Sequence, residues 1–147
     1  HFEKSHPLLR VIDTFVGDGD YPRVLSATQI NLGFLRKMNR DLQTTRSIEI
    51  PACRAFMLAE RTSEHLGLFE EGKEAEFFGS FEELLAKCRY YLARDLERRR
   101  IADAGHRRCH AGYTTTHRVI EILECLLDVP QAAPVPAEVP LRLSFAH

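Results

Sequence analysis

The chain has 147 residues, 44% of them hydrophobic and 28% charged, with a formal net charge of −1. That is the make-up of one globular domain with a real core, and it is too short for two. The near-balance of charge leaves no global field to gather nucleic acid or an anionic membrane, and no apolar run reaches bilayer length. The first residue is His1 rather than Met, so we expect a piece of a longer protein.

In chain order, LLRVIDTFV (8–16) predicts a strand, closed by the turn Gly17-Asp18-Gly19-Asp20. A short helix over 21–27 and a strand over 28–34 follow. Residues 36–43 have no periodicity and read as a loop. Thr44 to Ala52 predicts a short helix, 55–60 a strand, 63–71 a helix ended by Gly72, and 74–79 another strand. Ser80 with Glu83 three residues later is a capping box before an apolar run. Asp95 is placed to cap the next helix, which Gly105 is expected to interrupt and Gly112 to end. Thr114 can cap a last helix running to about Asp128. The tail 129–147 carries four of the seven prolines and reads as a linker or an arm lying over the domain. Two units follow: a domain over 1–128 and the tail.

Strands alternating with short helices predict an α/β fold: a Rossmann-like parallel sheet of about four strands with short right-handed crossover helices and a helical C-terminal third. No GxGxxG fingerprint is present. In such sheets ligands lie beyond the carboxyl ends of the strands, which puts the turn 17–20 and the loop 36–45 at the candidate site. The segment TTRSIEIPACRAFMLAE (44–60) then makes sense. Its helix start faces that crevice with unpaired N–H groups suited to a phosphate, and Glu49, one turn in, can accept hydrogen bonds from sugar hydroxyls. Pro51 helps stop the helix so that the chain can enter the sheet.

The blocks FVGDGDYPRVLSATQINLGF, SIEIPACRAFMLAERT, EHLGLFEEGKEAEFFGSFEELLAK and YTTTHR resemble, in that order, the donor-binding C-terminal half of group 1 glycosyltransferases of the GT-B fold. The subgroup they are most similar to is the glycosyltransferase-like one related to spore-maturation proteins. The resemblance runs from about residue 11 to about 127. It implies an E-x7-E-type pair in which Glu49 contacts the ribose of a nucleotide-diphospho-sugar and Asp41, one carbon shorter than the usual glutamate, lies near the transferred sugar. It implies that backbone N–H groups of residues 42–45, including Thr44 and Thr45, meet the diphosphate, and that Gly17 and Asp18 lie beside the nucleobase. The basic residues that neutralise the diphosphate in the family often lie upstream; Arg36, Lys37, Arg40 and Arg46 are local substitutes, Arg46 the best placed. Arg54 stands where the family usually has glycine. The acceptor-binding N-terminal half is missing, so the isolated domain is expected to transfer sugar poorly or not at all, and the exposed face could pair with a second copy as a homodimer. The nucleotide-sugar is the donor substrate, and no cofactor is implied.

Other signals have plainer readings. Asp18-Gly19-Asp20 fits a DxD pattern, but acidic-Gly turns are common and no metal is expected there. His106 and His110 have ligand spacing without a carboxylate partner and read as a solvated basic face, as does ERRRIADAGHRRCH, whose interleaved acids argue against nucleic acid. His117 reads as a structural group near the last helix start. Cys53, Cys88, Cys109 and Cys125 form no CxxC pair and read as reduced thiols of a cytoplasmic protein. The rival from another class is a non-catalytic Rossmann-like module that kept the architecture, a reading that Arg54 favours.

Overall fold

The computed structural model describes Val16, Gly17 and residues 19–127. The predicted strand 8–16 falls almost entirely outside these residues, as do Asp18 and the proline-rich tail. The elements run α1 (Tyr21–Ala27), β1 (Asn31–Gly33), a one-turn 3-10 helix (Lys37–Asn39), α2 (Arg46–Ala52), β2 (Met57–Glu60), α3 (Ser63–Leu68), β3 (Glu76–Phe78), α4 (Phe81–Leu92), α5 (Asp95–Gly112) and α6 (Thr115–Leu127). Among the described residues the sheet has three strands in the order β1-β2-β3, all parallel, with Gly33 opposite Ala59 and Ala59 opposite Phe77. This is an α/β arrangement with a large helical share, as predicted.

Strand alternation sorts the core into two faces. Met57, Ala59 and Phe77 pack with Ile50 of α2, Phe69 and Cys109 of α5. Leu58 and Phe78 pack on the other face with Leu84 and Tyr91 of α4 and Ile101 of α5. A sheet buried on both faces explains why these strands read as continuous apolar runs rather than alternating ones.

Helix α5 touches both clusters because it crosses the amino ends of β2 and β3. Gly105 is what permits the crossing: a Cβ there would sit 2.3 Å from the Glu74 carbonyl oxygen and 3.3 Å from Pro51 Cβ. The expectation that Gly105 interrupts the helix is therefore corrected. Glycine costs a helix interior about 1 kcal/mol relative to alanine, and close packing outweighs it here. Asp95 does not cap α5 either. It is the first helical residue, and its carboxylate holds Arg98 and Arg99, each at 2.7 Å. Ser80 does cap α4, accepting the Glu83 N–H at 3.2 Å, and Thr114 Oγ1 meets His117 Nδ1 at 2.6 Å, the structural role foreseen for that histidine.

Among the described residues, the outer edge of β3 is closed by charge rather than by another strand. Lys87 Nζ donates to the Phe77 carbonyl and to Glu76, both at 2.6 Å, and to Glu71 at 2.7 Å. Arg61 forks onto Glu71 and Glu83 and also donates to the Phe77 carbonyl at 3.1 Å. Inward-pointing charges of this kind blunt an edge against pairing with another chain. Arg61 and a backbone N–H from Gly79 hold the Glu83 carboxyl down at about 2, and burial together with Glu76 pushes the Tyr91 phenol up, so Tyr91 remains a donor to Glu76.

Candidate functional site

With α5 across the amino ends, the open side of the sheet is the carboxyl edge, where β1, β2 and β3 end at Gly33, Glu60 and Phe78. The segment joining β1 to α2 crosses this edge and is fastened at both ends. The Leu35 N–H donates to Glu60 Oε1 at 3.2 Å, and Thr62 Oγ1 donates to the Leu42 carbonyl at 2.6 Å. Between these ties Arg40 sits at φ 54°, in left-handed backbone a side chain seldom adopts. The segment carries Arg36, Lys37, Arg40 and Arg46, all exposed, and one acid, Asp41. Among the described residues none of the four cations has a carboxylate within ion-pair distance. A loop with three more cations than acids, none of them paired with a carboxylate among the described residues, concentrates positive potential at one spot on a chain of net charge −1.

Glu49 and Arg46 stand three residues apart on α2 and so share a face. Tyr21, the first residue of α1, reaches that face and donates its phenol hydrogen to Glu49 Oε2 at 3.0 Å. Burial and then Glu49 raise the Tyr21 pKa, while Arg46 pulls it back, so all three side chains feel one another and the phenol keeps its proton. The Gly17 carbonyl accepts the N–H groups of Asp20 and Tyr21, both at 3.0 Å, which anchors the 17–20 turn to the residue that grips Glu49. Tyr21 is a site residue that sequence reasoning missed; no periodicity distinguishes it from any first-turn tyrosine.

Thr45 is the N-cap of α2 but makes no side-chain cap bond. Ser47 Oγ instead accepts the Thr44 N–H, just before the helix, at 3.1 Å, so one of the backbone donors assigned to the diphosphate is already engaged. Ser47 in turn meets His65 Nε2 at 2.7 Å, and His65 Nδ1 meets the Glu60 carbonyl at 2.6 Å. A carbonyl can only accept, so Nδ1 carries a proton, and in the neutral imidazole Nε2 then accepts the Ser47 hydroxyl. The seven-residue length of α2 makes its dipole slight, and positive charge at the site comes from the arginines rather than from the helix end.

Asp41 is half-buried on the loop and shares no hydrogen bond with Glu49, so the two members of the acidic pair are not joined in this conformation. Asp18 lies outside the described residues. Among the described residues no three His, Cys, Asp or Glu groups converge to hold a metal, and no helix is long and apolar enough to cross a membrane. The four cysteines are free, and burial pushes the Cys109 thiol up to about 12.

The crevice beneath the loop, bounded by Gly33, Thr44, Arg46, Ser47 and His65, holds only about 10 Å³, room for one water. A larger hollow of about 640 Å³ lies on the opposite, amino edge. Its charges are spent on one another: Arg54 pairs with Asp103 at 2.5 Å, and Arg98 and Arg99 both hold Asp95.

Arg54 belongs to that far side, and its backbone explains why glycine suits the position. Its φ is 58°, and its N–H donates to the Pro51 carbonyl at 2.9 Å, a left-handed residue ending α2. The departure is one of backbone conformation remote from the carboxyl edge, so it does not count for a non-catalytic module. Arg54→Gly and Arg54→Ala both lose the exposed Asp103 pair, but only glycine relaxes φ. The glycine variant should be the more stable by about 1 kcal/mol in denaturant unfolding.

The model of the glycosyl transferase-like family matches residues 8–124. The chain belongs to that family. The match covers every described element except the last three residues of α6, and so includes the cationic loop, Tyr21, Glu49 and the charged edge of β3. No curated protein and no solved structure matches the chain.

Proposed function

We propose that this glycosyl transferase-like chain is the donor-binding half of a GT-B glycosyltransferase of the spore-maturation-related subgroup, working in the cytoplasm on a nucleotide-diphospho-sugar. The observation that carries the reading is the cationic loop 36–46, without local carboxylate partners among the described residues, beside a glutamate held by a tyrosine. Glu49 accepts hydrogen bonds from the ribose, Arg46 and the loop 42–46 face the diphosphate, Asp41 lies by the transferred sugar, and Gly17 and Asp18 by the nucleobase. Sugar transfer builds oxocarbenium character on the sugar and negative charge on the departing diphosphate. Fixed guanidinium groups stabilise that charge where it develops. The acceptor domain of a complete enzyme closes over this edge and excludes water, and the chain alone transfers sugar weakly or not at all.

The test is titration of the chain with UDP, GDP and dTDP, followed by amide shift mapping. Saturable binding of one of them, with shifts confined to 17–21 and 36–49, is the expected result. A folded sample that binds none at millimolar concentration, or shifts centred on the amino-edge hollow, would overturn the reading.

A further inference from the structure

The buried Ser47–His65 pair is unused by the donor-site chemistry, yet it is among the most enclosed polar contacts of the fold. His65 is 1% exposed and Ser47 4%. The imidazole lies flat on Phe77, ring centroids 5.4 Å apart and planes 2° from parallel. A serine hydrogen-bonded to a histidine raises the question of a nucleophile. Ser47 Oγ, however, already accepts the Thr44 N–H while it donates to His65, and the adjoining crevice holds about 10 Å³, too little for any acyl or phosphoryl group to reach it.

With a neutral imidazole, the carbonyl at one end and the backbone N–H at the other set the direction of every hydrogen bond in the chain of contacts. The Thr44 N–H donates to Ser47 Oγ, the Ser47 hydroxyl to His65 Nε2, and His65 Nδ1–H to the Glu60 carbonyl at the end of β2. The other side of Glu60 holds the start of the same loop, through Oε1 and the Leu35 N–H. One strand end therefore grips the loop at its start through a side chain and at its finish through a histidine and a serine. Reversing any link leaves a buried donor or acceptor without a partner, and such a group costs far more than the bond itself gains.

We infer that His65 is a positioning residue for the donor loop, acting through Ser47 to fix the turn at Thr44 and with it the diphosphate-facing stretch 42–46, while Glu49 is held separately by Tyr21. The inference rests on the donor-site reading for its consequence, but the clamp itself is a property of the unliganded chain. His65→Phe keeps the ring on Phe77 and deletes the relay; Ser47→Ala deletes its middle link.

Two measurements on the full chain test it. In unliganded protein, hydrogen exchange at residues 43–46 should speed up in both variants while β2 and β3 keep their protection. Whichever of UDP, GDP and dTDP the unmodified chain binds should be held about tenfold more weakly by either variant, and by the double variant no more weakly still. Affinity for the matching nucleoside, which lacks the diphosphate, should not change. Unaltered exchange at 43–46 in folded variants would overturn the clamp, as would equal losses for nucleotide and nucleoside. If the unmodified chain binds no nucleotide, the donor-site reading fails, and the exchange experiment still decides whether His65 sets the loop.

Discussion

Lys87→Met should destabilise the chain by about 3–5 kcal/mol, enough to unfold much of a domain whose total stability is ordinarily about 5–15 kcal/mol. Burial works to discharge Lys87, but hydrogen bonds to Glu71 and Glu76 prevail and hold its pKa above the usual lysine value. Its side chain is 22% exposed and that of Glu76 only 5%. Methionine fills the stem's volume and removes the ammonium, leaving Glu76 a carboxylate whose remaining donor is Tyr91 at 2.6 Å. Among the described residues the Phe77 carbonyl then keeps Arg61 as its side-chain donor. Most of the cost is the stranded charge, not the lost pair. Adding Glu76→Leu to Lys87→Met should therefore recover more than half of the loss in thermal or urea unfolding. If the double variant is less stable than Lys87→Met, the pair is a net contributor to stability and the edge of β3 depends on it.

That network also marks where sequence reading stopped. Runs such as AFMLAE and EAEFFG announce strands because both faces of the sheet are buried, and α4 begins where Ser80 says it should. Gly105 was misread because a helix breaker and a close-approach glycine look identical until the neighbour is known; only the Glu74 carbonyl 2.3 Å from its missing Cβ separates them. Site residues divide in the same way. Arg36, Lys37, Arg40 and Arg46 lie within eleven positions and were legible as a cationic loop. Tyr21, 28 residues from Glu49, and His65, 18 residues from Ser47, meet their partners only through the fold. Nothing in SEHLGLF or DGDYPRV indicates which distant side chain will be met.

Glu49→Ala should weaken binding of the preferred nucleoside diphosphate by roughly ten- to a hundredfold, the scale of a lost hydrogen bond to a charged acceptor. Tyr21 occupies Oε2 of Glu49, so the group left to a ligand is mainly Oε1, aimed by the tyrosine. Tyr21→Phe keeps the ring and frees that carboxylate to rotate, and should cost about three- to tenfold. The discriminating comparison uses the ribonucleotide against its deoxyribose counterparts. If Glu49 reads the sugar hydroxyls, the unmodified chain prefers the ribonucleotide, Glu49→Ala loses that preference, and Tyr21→Phe reduces it. Because the contact is only half-buried, melting temperature should fall little in either variant, and lost affinity can be assigned to the site. Equal losses for ribo- and deoxyribonucleotides would take Glu49 away from the ribose and leave it holding Tyr21 and the 17–20 turn in place. Unchanged affinity would remove it from the donor site, and the anion site would then rest on the loop arginines alone.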